Sequence, residues 1–346
     1  MSRNRVTIQN IAEACGLSRN TVSKVFNNRG TVPESTKQLV LEKAKEMGYF
    51  AILENTAVET PVQSQPRSIA VFSRSNSITH KFGLDFIKGF TDTVCREGYV
   101  VQMYGLSEEE IGSLQLPQNI ALDNTVGILG IELFDRAYIQ FLCDFRIPTI
   151  LADGYYGFQK SLIPCDVISM ENYASVRAIT QQIIDAGAKT LGFVGDIHHC
   201  NSFYERWGGF YSVLKSAGIE LDKQVCILEK DGVQYSDLSW TEAQLRKMPY
   251  LPDAFVCAND FHALRVMLAL KKMGISMPDD IMIAGFGDSA EASVIDTGLT
   301  TAEIPSNEMG IIAANVLLAR ISNRERPYGL TYIQTRPIFR GSTKSK

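Results

Sequence analysis

The sequence predicts a chain of two architectures, α + α/β: a helix-turn-helix head of three short helices, then a two-lobed α/β core. Three observations carry that prediction. The first 50 residues read as helices alone. From Arg67 onward, short unbroken apolar runs alternate with amphipathic helices, the pattern of parallel sheets covered on both faces. At 346 residues the chain also exceeds what one core usually holds.

The head is organised around IQNIAEACGLSRNTVSKVFN (8–27). Ile8, Ile11, Ala12 and Cys15 recur at helical spacing, Thr7 can cap the helix with its hydroxyl, and Gly16 can end it. Ser18 opens a second helix with Val22, Val25 and Phe26 inward. Arg19, Asn20, Ser23, Lys24 and Asn27 are left outward. Long cations, an amide and hydroxyls on one helix face are what major-groove reading of DNA requires. A third helix begins near Pro33, whose missing N–H costs nothing in a first turn, and buries Val40, Ala44 and Met47.

Residues 51–66 (AILENTAVETPVQSQP) read as a linker, with two prolines, two glutamates and no cation. The first βα series follows. IAVF (69–72), YVVQMY (99–104), VGILGI (126–131) and PTILA (148–152) are its strands. Its helices lie at 81–97, with Phe82, Phe86, Phe90 and Val94 on one stripe, and near 134–145. After Cys165 a second series places helices at 171–186, 203–217, 241–247 and 262–273. Its strands are 191–195, 225–228, 254–258 and 281–286. A helix at 306–321 and two extended pieces finish the chain. The helices 81–97 and 306–321 are candidate dimer faces or internal packing faces. Ligands of such sheets bind outside the carboxyl ends of the strands, and with two lobes the cleft between them is the natural site.

Charge and cysteine usage narrow the function. The net charge is −4, but residues 1–50 hold eight Lys/Arg against four Glu, so the head is +4 and the remainder −8. A basic head on an acidic body suits a protein that meets phosphates with one end. Seven cysteines stand singly with no C-x-x-C, which reads as reduced thiols in a cytoplasmic protein. No apolar run is long enough to span a membrane, and no apolar segment follows the N-terminal basic residues. His198-His199-Cys200 cannot all face one ion, so no metal site is expected. No nucleotide loop or nucleophile elbow stands in a fitting context, so neither cofactor nor catalysis is expected.

Five stretches in order resemble the LacI/GalR family of bacterial transcription regulators, nearly end to end. They are VTIQNIAEACGLSRNTVSKVFNN, ESTKQLVLEKAKEMGY, CANDFHALRVMLALKKMGISMPDDIMIAGFGDS, GLTTAEIPSNEMGIIAANVLL and FRGST. The resemblance implies a DNA-binding domain at 1–50, a hinge at 51–66 and a periplasmic-binding-protein-like α/β core at 67–346. Lobe one would take about 67–168 and 299–326, and lobe two about 169–298 and 327–340. It implies a homodimer on a pseudo-palindromic double-stranded DNA operator, acting as a repressor, with a small effector between the lobes. By position, Arg19, Asn20 and Lys24 would read bases. Thr7, Ser18, Thr21, Ser23 and Asn27 would touch phosphates. In the family a hinge helix wedges a leucine into the minor groove. Here the family's P-N pair is replaced by Ala51-Ile52, and the wedge position falls at Val58, between Glu54 and Glu59.

For the effector, the family's cleft positions map onto Phe82, Asp153, Arg206, Asn259 and Gly287. Asp153 would accept from hydroxyls, Arg206 offers a fork of donors, and Asn259 both donates and accepts. The usual Asp of the last position is Gly287 here, with Asp288 next to it. Asp153 and Arg206 serve a ligand or pair with each other across the cleft. Trp207, Tyr155, Tyr156 and Phe158 are a stacking face or ordinary core. The expected effector is a sugar or sugar derivative. The alternative is a non-sugar ligand or a protein co-repressor.

Overall fold

The structure is a computed structural model that describes residues 7–26, 32–47, 67–74, 81–158, 164–295 and 297–344. The chain divides into two compact units, Met1–Gln65 and Pro66–Lys346. In the first, helices α1 (Ile8–Cys15), α2 (Arg19–Phe26) and α3 (Glu34–Glu46) enclose Ile11, Ala12, Val22, Val25, Phe26, Val40 and Ala44. Thr7 caps α1 reciprocally with Asn10, each side chain meeting the other's backbone N–H. Gly16 ends α1 at φ 63°, a left-handed turn that L side chains resist.

The second unit opens with β1 (Ser68–Arg74), α4 (Lys81–Arg96), β2 (Val100–Leu106), α5 (Glu108–Ser113), β3 (Thr125–Ile131), α6 (Arg136–Asp144), β4 (Thr149–Ala152) and β5 (Asp166–Met170). Then come α7 (Tyr173–Asp185), β6 (Leu191–Val194), α8 (Asn201–Ser216), α9 (Leu238–Lys247), β7 (Ala254–Cys257), α10 (Asp260–Lys272), β8 (Met282–Ala284) and α11 (Ala290–Val294). The chain finishes with β9 (Thr301–Glu303), α12 (Ser306–Ser322), β10 (Leu330–Ile333) and β11 (Arg336–Ile338).

One sheet runs β10-β5-β4-β3-β1-β2, every pair parallel; a second runs β6-β7-β8, also parallel. Each heads a lobe. In the first sheet β1 lies between β2 and β3, the point where strand order reverses and a crevice opens. β9 and β11 pair antiparallel, and bridges at Ala284–Thr300 and Gly287–Glu303 attach them to the second lobe. The chain therefore passes between lobes three times, after β5, after β9 and after β10.

Several boundaries differ from the sequence reading. Residues 299–304 lie with the second lobe, not the first. β10 belongs to the first lobe, because it takes the outer edge of β5 from Leu330–Val167 to Ile333–Met170. Residues 225–228 form no strand. Lys223–Val225 is a capped 3-10 turn, and Ile227 donates its N–H to Phe193 of β6 and accepts from Gly195 just beyond it before the chain turns away. β5 was hidden in the sequence by its buried Asp166, which Arg320 neutralises from α12 at 2.9 Å.

Helices α4 and α12 pack on each other with their apolar stripes, Phe86, Phe90 and Val94 against Met309, Ala313 and Leu317. Their closeness rests on two glycines. A methyl on Gly89 would strike the Asn307 carbonyl, and one on Gly310 the Phe86 carbonyl. These stripes are thus internal packing faces of the first lobe.

Candidate functional site

In the head, Arg19, Asn20 and Lys24 stand exposed on α2, opposite the buried Val22, Val25 and Phe26. Two of the residues expected at phosphates, Thr7 and Ser18, already work as caps, and a third, Thr21, is tied to Ser18. The Thr7 hydroxyl is 2.6 Å from Asn10 Oδ1. The Ser18 and Thr21 hydroxyls meet at 2.8 Å, and Ser18 Oγ also accepts the Thr21 N–H at 3.1 Å. Ser23 is half-buried on the same helix. Asn27 and Val58 lie outside the described residues.

In the core, the carboxyl ends of both sheets converge on one cavity of about 730 Å³. Phe82, Asp153, Arg206, Asn259 and Gly287 all line it, each just beyond a strand or near the start of a helix that follows one. Asp153 ends β4 in a left-handed conformation, φ 67°. Its Oδ1 accepts the Gly154 N–H at 2.7 Å, and Ser202 and Cys200 of the second lobe also hydrogen-bond to it. Burial raises its pKa against these hydrogen bonds.

Arg206 is 5% exposed. Its Nε donates to Asn172 at 2.9 Å, its Nη1 to the Ala258 carbonyl at 2.7 Å, and its guanidinium lies 3.8 Å from the Phe286 ring centre. Among the described residues no hydrogen-bond partner of Nη2 is found. Asn259 Oδ1 caps α10 through the His262 N–H at 2.9 Å, which leaves its amide protons for a ligand. Gly287 adopts φ 131°, where a side chain is strained, so this position contributes backbone only. Asp288 does not substitute for the missing carboxylate. It pairs with Arg340 at 2.7 Å.

Trp207, Tyr155, Tyr156 and Phe158, read as a stacking face or as ordinary core, are not among the residues lining the cavity. Tyr155 is buried in the first-lobe core with Phe158 against it. Tyr156 packs edge-on to Tyr204 and His198, and Trp207 lines a separate groove. The rings at the cavity are instead Phe82, Phe134, Phe203, Tyr235, Phe261 and Phe286.

Four further polar residues were missed. Glu132 ends β3 as Asp153 ends β4, also left-handed at φ 49°; burial, with Asp153 beside it, pushes its carboxyl up to about 7. The same rule that found Asp153, the first residue after a strand, could have found it. His199, Asp231 and His262 form a second-lobe cluster. His199 Nδ1 is 3.1 Å from Asp231 and His262 Nε2 is 3.9 Å from it. Burial pulls His262 down to about 3, with His199 and Arg206 adding to the effect, so the ring is neutral at pH 7. No motif announced Asp231, which comes from a loop. His198, His199 and Cys200 diverge: His198 is exposed, His199 faces the cavity and Cys200 is buried. Among the described residues no His/Cys/Asp/Glu group could hold a metal, and no helix is long and apolar enough to cross a membrane.

A three-helix head with an exposed polar helix face, and a two-lobed core with a polar cavity at the strand ends, are the parts of a transcription regulator. The comparisons say which kind. Residues 7–51 match the bacterial regulatory proteins of the lacI family, and residues 180–343 match a periplasmic binding protein-like domain. A probable transcriptional repressor of Bacillus subtilis, ExuR, is 26% identical over 326 residues, covering 92% of this chain and 93% of its own. The ribose operon repressor of the same organism is 26% identical over 329 residues, covering 95% of each. The structure of the regulator CelR in complex with cellobiose superposes with a TM-score of 0.71 at 22% identity, covering 98% of this chain and all of that one. The chain thus joins a lacI-family DNA-binding domain to a periplasmic-binding-protein-like domain, and its relatives are LacI-family transcriptional regulators, a family of regulators and not of enzymes.

Proposed function

We propose that this chain is a homodimeric, cytoplasmic repressor that reads a pseudo-palindromic operator and is controlled by a neutral sugar in the interlobe cavity. The single observation that carries the reading is the convergence of Phe82, Asp153, Arg206 and Asn259, with the backbone at Gly287, on one cavity fed by both sheets. That set offers carboxylate acceptors, amide and guanidinium donors and aromatic faces, the groups a polyol ring needs. Cellobiose in the CelR complex and ribose in the name of the second relative fit the same chemistry.

Charge favours neutral sugars over sugar phosphates or uronic acids. Glu132, Asp153, Asp231, Asp260 and Glu291 face the cavity against two guanidiniums, Arg206 and Arg265, and Arg206 already gives two of its donors to protein acceptors. An added anion would meet net repulsion. Arg19, Asn20 and Lys24 are assigned to base edges, and Thr7, Ser18, Thr21, Ser23 and Asn27 to phosphates, with Val58 at the hinge. Effector binding changes the angle between lobes and so the spacing of the paired heads.

Thermal melts of the full chain against neutral mono- and disaccharides, their phosphates and their uronic acids test this. A neutral sugar that raises the melting temperature and changes operator affinity in the same preparation is the expected result. A response confined to phosphates or uronic acids would refute it.

A further inference from the structure

A second groove, of about 760 Å³, lies on the back of the core where the chain passes from β5 to α7 and where β10 leaves the first sheet. Five of its lining residues are aromatic: Tyr173, Tyr204, Trp207, Tyr211 and Tyr332. Tyr204, Trp207 and Tyr211 form one stripe of α8 at i, i+3 and i+7, beside the buried stripe of Phe203, Arg206 and Phe210. An outward helix face normally carries charge. Here Tyr173, Tyr204, Tyr211 and Tyr332 are 39–47% exposed and clustered, which single surface aromatics are not. Gly208 keeps the floor open, with the Tyr173 ring 3.6 Å from where its Cβ would stand.

The rest of the lining fixes the charge of the occupant. Among the described residues, Glu171 and Glu205 are the ionisable groups besides the tyrosines, and no Lys or Arg lines the groove. Aromatic faces carry negative potential, and carboxylates beside them add to it. The chain already shows the preference: the Arg177 guanidinium reaches over the Tyr173 ring at 5.8 Å. Aromatic faces with carboxylates repel anions and bind organic cations, quaternary ammonium above all.

We propose that this groove is a second ligand site, for a small molecule with an alkylammonium headgroup, distinct from the effector cavity and coupled to it. The coupling is drawn in hydrogen bonds. Tyr332, on the first-lobe strand β10, donates to Glu205 of the second lobe at 2.5 Å. Asn172 donates to the other Glu205 oxygen at 2.8 Å and accepts from Arg206 Nε at 2.9 Å. Arg206 lines the effector cavity, so the two sites share one polar wall. A cation that draws on Glu205 therefore acts on the residue that positions Arg206.

The test uses Trp207 as its own reporter. In the full chain carrying Trp240→Phe, Trp207 is the single tryptophan. Choline and tetramethylammonium are expected to change its fluorescence saturably in the millimolar range, and 3,3-dimethyl-1-butanol, the neutral isostere of choline, is expected to leave it unchanged. Glu205→Gln is expected to weaken choline about tenfold, and Tyr211→Leu to weaken it while keeping the apolar bulk. The Tyr211 variant decides the matter if Glu205→Gln melts below the parent. The proposal is overturned by no saturable change with either ammonium. An equal response to the neutral isostere would overturn it too, as would binding of a lysine-bearing peptide without choline. A sugar response in the effector cavity is read separately, so its failure would not be mistaken for failure here.

Discussion

Replacing Glu132 with glutamine is expected to stabilise the core in alkali and to do little in acid. The carboxyl sits half-buried at the end of β3 with Asp153 beside it, and its pKa rises from 4.5 to about 7 in the folded chain. Below pH 4.5 it is protonated in folded and unfolded chains alike and contributes no pH dependence. As the pH climbs from 4.5 to about 7, the unfolded chain releases the proton and the folded chain keeps it, so stability falls. Above about 7 both are ionised and the loss is complete. At about 1.4 kcal/mol per pH unit, that gap amounts to roughly 3 kcal/mol, an upper value because water reaches a half-buried carboxylate. Glutamine keeps the shape and removes the charge. Thermal melts of parent and Glu132→Gln at pH 5 and pH 8 read the effect directly. The variant should gain less than about 1 kcal/mol at pH 5 and about 2–3 kcal/mol at pH 8, the latter on the order of 5 °C in melting temperature. An equal shift at both pH values would show that the carboxylate is not strained by burial and by Asp153, and would refute the reasoning.

Other perturbations follow from the same geometry. Gly287→Asp, which restores the side chain usual in the family, is expected to cost about 1–3 kcal/mol, because φ 131° does not suit a Cβ; a melt no lower than the parent's would contradict this. Arg320→Leu strands the buried Asp166, which now accepts at 2.9 and 3.2 Å from that guanidinium, and should lower stability by about 3–5 kcal/mol in denaturant titrations. Asn20→Ala and Lys24→Ala should each narrow the gap between operator and random DNA by about 1–3 kcal/mol in competition gel shifts. Equal loss on both DNAs would reduce these residues to phosphate contacts.

Local pattern made most of the fold legible, and long-range pairing hid the rest. The head's caps at Thr7, Gly16 and Ser18 stand where the sequence put them, because capping is decided within three or four residues. β5 escaped notice because a strand containing Asp reads as a loop until Arg320, 154 residues away, is known to neutralise it. The lobe boundary near β10 failed for the same reason, since edge pairing with β5 is not written in either segment. In the cavity, residues placed by a strand end or a helix start were readable. Trp207 and Tyr155 stayed open between a stacking face and ordinary core because aromatic composition does not say which face of an element a ring takes. Asp231 was invisible, because its role depends on two histidines from separate elements.

The placement of these groups also says what a ligand has to do to act as a switch. Asp153 belongs to the first lobe, yet Ser202 and Cys200 of the second lobe hydrogen-bond to it. Phe134 of the first lobe meets the edge of His199 of the second at 5.1 Å between ring centres. The cleft is therefore already bridged by the chain's own side chains. A sugar that merely fills the space shifts nothing, because only a difference in affinity between lobe arrangements moves the equilibrium. It gains that difference by giving Asp153 a better donor than Ser202, or by engaging Glu132 and Nη2 of Arg206, which sit on opposite lobes. A coupling of about 1–3 kcal/mol is enough to change operator affinity roughly 5- to 150-fold. Hydrogen bonds to an ionised carboxylate, about 1.5–3 kcal/mol each, lie in that range. On the proposed reading of the cavity, one hydroxyl exchanged at Asp153 thus matches the allosteric requirement, and Ser202→Ala, which removes one second-lobe donor to Asp153, should tighten the effector; a weaker effector in that variant would place the switch elsewhere.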